Sequence, residues 1–218
     1  MIKVAACILL VLVCVIPGFA QNNPRYDAVL AKSFDRFYNN PFPLMELERE
    51  DSSILNTASL AGKTIYVDFW FTACSPCIKE IPHSLALQHF FAADTNIVFL
   101  NICIENIERK QAWKNMVKAK AMQGINVFYA RNRPQKINLL RQLGINDFPT
   151  YLLVHQMKII GHNAPAPSEK GFVHWAIYQA SDNIKLSDAY WALVKKSKPS
   201  KEYLHNHWAA IDVNPPTP

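Results

Sequence analysis

The chain has 218 residues, of which 50% are hydrophobic and 18% are charged. This composition predicts one compact domain with additional segments and excludes an intrinsically disordered chain, because a chain of this length buries a substantial core. Lysine and arginine number 23 against 17 for aspartate and glutamate, which gives a formal net charge of +6. The basic residues are dispersed and form no stripe, so nucleic acid is not an expected partner.

Residues 1–20 have the pattern of a secretory signal peptide. Lys3 is the only charged residue there, an apolar run extends from Val4 to Ile16, and the small residues Gly18 and Ala20 precede a polar stretch. The run is shorter than the ~20 residues that a membrane-spanning helix needs, although an uncleaved anchor is the alternative. We expect cleavage after Ala20 and export to the periplasm.

The remaining chain divides into an N-terminal extension at residues 21–61, a main domain at 62–198 and a C-terminal tail at 199–218. Apolar periodicity and the positions of glycine and proline predict the elements of the main domain. In chain order these are strand 64–71, helix 74–92, strand 97–104, helix 108–123, strand 125–130, helix 134–143, strand 150–155, its hairpin partner 158–161, and helices 169–180 and 187–196. Their order is that of an α/β domain with a central mixed β-sheet flanked by helices.

Loss of the signal peptide leaves three cysteines, Cys74, Cys77 and Cys103. An odd, small number does not form a structural disulfide framework, even in a compartment that permits disulfides. Cys74 and Cys77 have the spacing Cys-x-x-Cys where a strand ends and a helix begins, and open α/β sheets carry their chemistry at that edge. Cys103 lies in an apolar strand and is expected to be a buried, inert thiol, with a third redox group as the alternative.

The start of the predicted helix suits a reactive thiol. Cys74 is expected at its N-cap and Cys77 within its first turn, a separation that a disulfide can bridge. Unpaired amides and the helix dipole favour a thiolate there, and the thiolate is the nucleophilic form. A zinc site needs two further ligands, and the only close histidine pair, His205 and His207, lies far along the chain in the polar tail. We therefore expect no metal and no dissociable cofactor.

Two separated motifs resemble the thioredoxin-like superfamily, over about Gly62 to Ala180. They are Val67-Asp68-Phe69-Trp70-x-x-x-Cys74-x-Pro76-Cys77, followed by Lys79-Glu80-Ile81-Pro82, and Phe148-Pro149-Thr150. The first motif is most similar to the exported TlpA/ResA-like thiol-disulfide oxidoreductases. This resemblance implies a thioredoxin-like fold and an enzyme that exchanges a dithiol and a disulfide with protein substrates.

The resemblance also implies roles for individual residues. Cys74 would be the exposed thiol that attacks the substrate, and Cys77 the buried thiol that resolves the mixed disulfide. Pro149, after a cis peptide bond, would pack beside the cysteine pair and present backbone to the substrate. The residues that would accompany it at the substrate site are Phe148, Thr150 and Trp70. Ala73 departs from the family pattern, in which an aromatic residue usually precedes the first cysteine.

Two carboxylates are candidates for accepting the Cys77 proton. Asp68 lies inside a buried strand, where desolvation should raise its pKa. Glu80 follows Cys77 by three residues and therefore lies on the same face of the helix. Either group could act as a general base. The alternatives are a hydrogen-bonded strand residue for Asp68 and a solvated helix residue for Glu80.

The resemblance favours a monomeric reductant that receives electrons from a membrane carrier and acts on exported proteins such as apocytochrome c. The Ser75-Pro76 dipeptide does not by itself fix the direction of electron flow. Two other functions stay open. One is a chaperone that carries a soft cation such as Cu(I) on its thiolates. The other is a non-catalytic binding module of the same fold with a vestigial disulfide.

Overall fold

The computed structural model describes residues 24–132 and 138–194, and within these ranges seven strands form one mixed sheet. The strands are β1 (Glu46–Arg49), β2 (Ile54–Asn56), β3 (Thr64–Trp70), β4 (Ile97–Glu105), β5 (Ile125–Ala130), β6 (Thr150–His155) and β7 (Lys158–His162). The helices are α1 (Pro24–Phe34), α2 (Ser75–Phe90), α3 (Lys110–Ala119), α4 (Leu139–Leu143), α5 (Phe172–Ser181) and α6 (Leu186–Val194), with short 3₁₀ helices at Thr57–Leu60 and Ile107–Arg109.

The strands lie in the order β2-β1-β5-β4-β3-β6-β7. The central strands β3, β4 and β5 are parallel, and the flanking strands pair antiparallel to their neighbours. Every residue of β3 is buried, as expected for a strand that is paired on both sides and covered on both faces. The predicted mixed sheet flanked by helices is confirmed.

Side chains of β3 alternate between two hydrophobic cores. Ile65, Val67 and Phe69 belong to the core that also contains Leu139 and Leu143 of α4. On the opposite face, Tyr66 belongs to a second core that also contains Leu87 of α2, Phe91 directly after α2, Val173 and Ile177 of α5, and Leu186 of α6. Asp68 and Trp70 follow Tyr66 on this second face, and they lead toward the start of α2.

Both edges of the sheet are short or covered. The β2 edge has three residues. At the other edge, the segment 39–42 runs along β7, where the amide of Asn39 donates to the carbonyl of Ile159 and the amide of Ile159 donates to Asn40. Phe42 completes this pairing with a bond to the carbonyl of Met157.

Segment 21–61, predicted as an extension, contributes directly to the sheet. Strand β1 pairs with β5, and β2 pairs with β1. Leu47 and Leu55 are 4% and 1% exposed, so their burial in the main core accounts for this placement. The predicted signal peptide at residues 1–20 and the tail at 199–218 lie outside the described residues. None of the described helices is long and apolar enough to span a membrane.

Three predicted helices differ in extent. The helix predicted at 169–180 begins at Phe172. Helix 108–123 begins as a 3₁₀ helix, and α3 ends at Ala119, because Ala121 adopts a positive φ of 48° in the turn that follows. Within the predicted helix 134–143, residues 134–137 lie outside the described residues, and α4 spans the rest from Leu139. Gly144 ends α4 with a φ of 61°, as its position in the sequence predicted.

A close contact between β7 and α6 should make Gly161 irreplaceable. A Cβ atom at Gly161 would lie 2.5 Å from Cβ and 2.6 Å from Cδ2 of the buried Leu186. We expect Gly161→Ala to lower the free energy of unfolding by about 1–3 kcal/mol, since overpacking displaces the helix. Urea unfolding followed by tryptophan fluorescence measures this change.

The matched control for this substitution is Gly62→Ala. Gly62 has a φ of 81° but no atom within 4 Å of the added Cβ, so only the backbone cost of about 1 kcal/mol applies. In a Leu186→Gly background, which lacks both Cβ and Cδ2, the further cost of Gly161→Ala should largely disappear. An undiminished cost in that background would contradict the contact.

Candidate active site

The cysteine pair lies at the beginning of α2, as the sequence predicted. Cys74 is the N-cap residue, and its sulfur accepts a hydrogen bond of 3.2 Å from the backbone amide of Cys77. The two residues form a disulfide with their Cα atoms 5.2 Å apart. Pro76 lies in the first turn, where the missing amide leaves no helical hydrogen bond unmade. The geometry therefore allows the pair to alternate between a dithiol and a disulfide.

The expectation of an exposed Cys74 is wrong for this disulfide form. Cys74 and Cys77 are 3% and 4% exposed. Both belong to an apolar cluster with Trp70, Cys103 and Trp113, which lie on the inner side of the pair. Burial does not distinguish the two sulfurs, but among the described contacts the N-cap hydrogen bond from an amide is made to the Cys74 sulfur.

The loop before β6 brings a second motif to the cysteine pair. The Phe148–Pro149 peptide bond is cis, as predicted. Phe148 packs against the cluster that contains the cysteines, and its ring meets Phe71 edge-on with centroids 5.3 Å apart. Thr150 pairs with Phe69 of β3, and its hydroxyl donates to the carbonyl of Asp147 at 2.5 Å. These contacts hold the cis-proline loop beside the beginning of α2.

The predicted substrate-site residues differ in accessibility. Trp70 is 1% exposed and Thr150 is 7% exposed, whereas Phe148 and Pro149 are half-buried. Ala73, which replaces the aromatic residue of the family pattern, is exposed. A molecule that approaches the cysteines from solvent therefore meets Phe148, Pro149 and Ala73, while Trp70 supports the pair from inside.

Asp68 is a carboxyl group in the middle of a buried strand. It is 9% exposed, and its register neighbours are Asn101 on β4 and Tyr151 on β6. Within the described part of the chain, Asp68 Oδ1 has no hydrogen-bond partner. Burial, with a smaller contribution from the negative charge of Glu80, raises the pKa of Asp68 to about 7. This carboxyl group can therefore gain or lose a proton near neutral pH.

A small cavity adjoins Asp68 between α2 and β4. Its volume is about 10 Å³, which is close to the minimum for one water molecule. Polar side chains of Ser84, Gln88 and Asn101 contribute to its lining. The cavity gives the buried carboxyl group a polar side in an otherwise apolar core.

Glu80 is anchored to a distant part of the chain. Its Oε2 accepts a bond of 2.9 Å from the backbone amide of Ser168, and its Oε1 accepts one of 2.7 Å from the Ser168 hydroxyl. Ser168 lies in the loop between β7 and α5, 88 residues further along the sequence. Glu80 is therefore a positioned carboxylate and not a freely solvated helix residue.

Three residues absent from the sequence prediction hold the loop that leads to Cys74. The Thr72 hydroxyl donates to Oε2 of Glu105, and Arg109 Nε donates to the same oxygen at 2.7 Å. Arg109 Nη2 also donates to the Thr72 hydroxyl at 2.7 Å. Thr72 and Glu105 lie at the carboxyl ends of the adjacent parallel strands β3 and β4, which is the signal that could have revealed this contact. No comparable signal connects Ser168 with Glu80.

Cys103 is fully buried and is a free thiol, as predicted. Burial, with a smaller contribution from the charge of Glu105, raises the pKa of this thiol well above its usual range. A thiol in this environment stays protonated and is a poor nucleophile. Across residues 24–132 and 138–194, no group of three or more His, Cys, Asp or Glu side chains is arranged to hold a metal ion.

Comparison with protein families identifies the fold and the chemistry. The family model described as Redoxin matches residues 38–181, which is about two thirds of the chain. This chain belongs to the redoxin family. The redoxin match begins earlier than the resemblance read from the motifs, and it includes both β1 and β2. The thiol-disulfide oxidoreductase ResA of Bacillus subtilis (strain 168) is 29% identical over 153 residues, covering 68% of this chain and 75% of the relative.

Solved structures confirm the thioredoxin-like fold. The thioredoxin domain of a thiol-disulfide oxidoreductase from Bacteroides vulgatus superimposes with a TM-score of 0.51 at 20% identity, covering 73% of this chain and 96% of that structure. A thioredoxin-family thiol:disulfide interchange protein from Chlorobium tepidum has a TM-score of 0.52 at 22% identity, with coverages of 65% and 94%.

The predicted enzyme class, a thioredoxin-like thiol-disulfide oxidoreductase, is confirmed by the redoxin match and the ResA relative. The cysteine pair of this redoxin is Cys74–Cys77. Among the three functions that the sequence left open, these comparisons support the enzyme.

The raised pKa of Asp68 predicts how stability depends on pH. The folded protein keeps a proton at Asp68 up to pH about 7, whereas the unfolded chain loses it near 3.8. Between these values the unfolded state binds fewer protons, so the contribution of Asp68 to stability falls as pH rises and is constant above 7. Asp68→Asn removes this dependence.

We expect the stability of Asp68→Asn relative to the wild type to increase from pH 4 to 7, by at most about 4 kcal/mol. Urea unfolding of both disulfide-bonded proteins across this range measures the difference. Asp51→Asn is the control: hydrogen bonds from Ser53 lower the pKa of Asp51, so this group is ionised in both the folded and the unfolded state between pH 4 and 7, and the difference from the wild type should stay nearly constant. A difference between Asp68→Asn and wild type that does not vary with pH would contradict the raised pKa.

Proposed function

We propose that this redoxin is an exported reductant of protein disulfides that acts through Cys74 and Cys77 without a dissociable cofactor. The observation that carries the proposal is the Cys74–Cys77 pair at the start of α2, beside the cis peptide bond at Pro149. Such a pair can transfer two electrons to a substrate disulfide without any other redox group. Export rests on the signal-peptide pattern of residues 1–20.

In the proposed reaction the reduced enzyme begins with a thiolate at Cys74. This thiolate attacks one sulfur of the substrate disulfide, forming a mixed disulfide and releasing the other substrate sulfur as a thiolate, which takes up a proton. Cys77 then loses its proton and attacks the Cys74 sulfur. The second substrate thiol leaves, and the enzyme retains the Cys74–Cys77 disulfide. The enzyme is oxidised by two electrons and the substrate is reduced by two.

The N-cap position supports Cys74 as the attacking group. The amide of Cys77 points to the Cys74 sulfur at 3.2 Å and can stabilise negative charge on it. The positive end of the α2 dipole acts in the same direction. We assign the resolving role to Cys77, because its own sulfur has no corresponding amide bond among the described contacts.

Asp68 and Glu80 are assigned as the groups that accept the Cys77 proton. A carboxyl group with a pKa of about 7 is well matched to proton transfer near neutral pH. Glu80 lies one turn after Cys77 on α2, and its negative charge contributes to the raised pKa of Asp68. The two carboxyl groups therefore act as a pair.

The substrate is proposed to lie against Phe148, Pro149 and Thr150, with the small Ala73 leaving one side of the cysteine pair open. Trp70 supports this surface from below. By family resemblance, the substrates are exported proteins with disulfides, apocytochrome c among them, and the electron donor is a membrane carrier. We propose that the enzyme is a monomer whose thioredoxin-like domain at 62–198 is completed by strands β1 and β2 of segment 21–61 and followed by the tail 199–218.

A trapping experiment tests the roles of the cysteines. With Cys77→Ala, the mixed disulfide on Cys74 has no internal thiol to resolve it, so partner proteins should accumulate as adducts that dithiothreitol releases. Cys74→Ala should carry few adducts, and Cys103→Ala should behave as the wild type. Non-reducing gels of protein purified from the periplasm of an exporting bacterium measure the adducts. Equal adduct levels in the two active-site variants, or adducts that depend on Cys103, would overturn the assignment.

The same experiment separates the alternative functions, since neither a copper carrier nor a vestigial disulfide predicts this asymmetry between the cysteines. A copper titration of the reduced wild-type protein, with Cys103→Ala as its control, checks the carrier directly.

The direction of electron flow is tested by the reduction potential of the Cys74–Cys77 couple. A reductant should have a potential close to the roughly −270 mV of thioredoxin, well below the roughly −120 mV of the strong oxidant DsbA. Equilibration with glutathione or dithiothreitol buffers, read by mass after thiol alkylation, gives the value. A potential near that of DsbA would show that the enzyme is an oxidant.

A further inference from the structure

The contact between Ser168 and Glu80 joins two parts of the molecule that no secondary-structure element connects. Ser168 donates to both carboxylate oxygens of Glu80, one bond coming from its amide and the other from its hydroxyl. A carboxylate held at both oxygens cannot rotate into solvent without breaking these bonds. The position of the Glu80 charge is therefore set by the loop between β7 and α5.

That loop is itself fixed to the sheet, so it can serve as a rigid support. The amide of Ala164 donates to the carbonyl of Tyr151 at 2.9 Å, and the Tyr66 hydroxyl donates to the carbonyl of Pro165 at 2.6 Å. Within the loop, the amide of Ala166 donates to Glu169 at 2.6 Å. Ser168 therefore reaches Glu80 from a segment anchored on β3 and β6.

The charge of Glu80 acts on Tyr66 and Asp68 of β3 and on Tyr151 of β6. The charge of Glu169, in the β7–α5 loop, acts on the same two tyrosines. The charge of Glu80 raises the pKa values of Asp68, Tyr66 and Tyr151, in each case as a smaller cause than burial. Glu80 is thus close enough to disfavour a second negative charge at Asp68.

We propose that Ser168 is a positioning residue that fixes the Glu80 carboxylate on α2, where its charge acts on Asp68 and opposes the loss of a proton from Asp68. When Asp68 becomes ionised, the repulsion between the two groups opposes the change. The inference rests on the proposed role of this pair in accepting the Cys77 proton.

The consequence for a variant is specific. Ser168→Ala removes the hydroxyl bond but leaves the amide bond, so Glu80 is partly released toward solvent and its repulsion on Asp68 weakens. The pKa of Asp68 should then fall. Glu80→Gln removes the charge altogether and should lower the pKa of Asp68 further. The total decrease from the wild type should be roughly half a pH unit, since interactions at a partly exposed site are weak.

The titration of the Asp68 side-chain carboxyl carbon by ¹³C NMR tests this inference in the full-length disulfide-bonded protein, where Cys74 and Cys77 do not titrate. The Asp68 pKa should be highest in the wild type, lower in Ser168→Ala and lowest in Glu80→Gln. Ser168→Thr keeps both donors and should titrate as the wild type. Ser59→Ala, which removes an exposed serine hydroxyl bonded to the carbonyl of Asn56, is the matched control and should also leave the titration unchanged.

The double variant Glu80→Gln with Ser168→Ala distinguishes positioning from a structural effect of Ser168. If Ser168 acts through the Glu80 charge, the double variant should have the same Asp68 pKa as Glu80→Gln alone. An Asp68 pKa that is unchanged or raised in Ser168→Ala, or a Ser168→Ala shift that persists without the Glu80 charge, would overturn the inference.

The outcome is separable from that of the proposed function. The NMR titration reports on the carboxyl pair in the absence of any substrate, whereas adduct trapping reports on the cysteines. If the Asp68 pKa values follow the expected order but Cys74→Ala and Cys77→Ala carry equal amounts of adduct, the proposed function alone is contradicted. If Cys77→Ala carries more adduct than Cys74→Ala but Ser168→Ala leaves the Asp68 pKa unchanged, only the role of Ser168 is contradicted.

Discussion

Burial of the Asp68 carboxyl group in the central strand constrains the chemistry of this enzyme. β3 is paired on both sides and covered on both faces, so a charge in its middle is costly. The strand tolerates Asp68 because the group keeps its proton up to a pH of about 7 and borders a small polar cavity. Burial thereby leaves a carboxyl group that can gain or lose a proton near neutral pH.

The same strand also determines where the cysteines lie. β3 ends at Trp70, the chain turns through Thr72, and α2 begins directly after Cys74. The Thr72–Glu105–Arg109 contact fixes this turn to the end of β4. The sulfur pair is therefore held by a short connection between rigid elements, while the cis-proline loop approaches from the neighbouring strand β6.

Much of this arrangement could be predicted from the sequence, because the relevant signals are local. The apolar run of β3, the Cys-x-x-Cys spacing at a helix start and the Phe148-Pro149-Thr150 motif each span a few residues. The extent of α3 was harder to predict, since its end depends on the backbone turn at Ala121 and not on hydrophobic periodicity. The role of β1 and β2 in the sheet also escaped prediction, because both strands are short and half polar.

The contact between Ser168 and Glu80 had no sequence signal. Ser168 and Glu80 are polar residues in unremarkable surroundings, and only the fold brings them together across 88 residues. The burial of Cys74 likewise depends on packing against Trp113 and Cys103, which belong to other elements. Sequence patterns identified the Cys74–Cys77 pair, whereas its electrostatic environment is a property of the tertiary structure.

The two edges of the sheet bear on how this molecule behaves among its own copies. An exposed strand edge presents free amides and carbonyls that can pair with another chain and start aggregation. Here β2 offers only three residues at one edge, and the segment 39–42 occupies hydrogen-bonding groups of β7 at the other. The region before the cysteine motif thus protects the folded enzyme from strand-to-strand association, a task separate from catalysis.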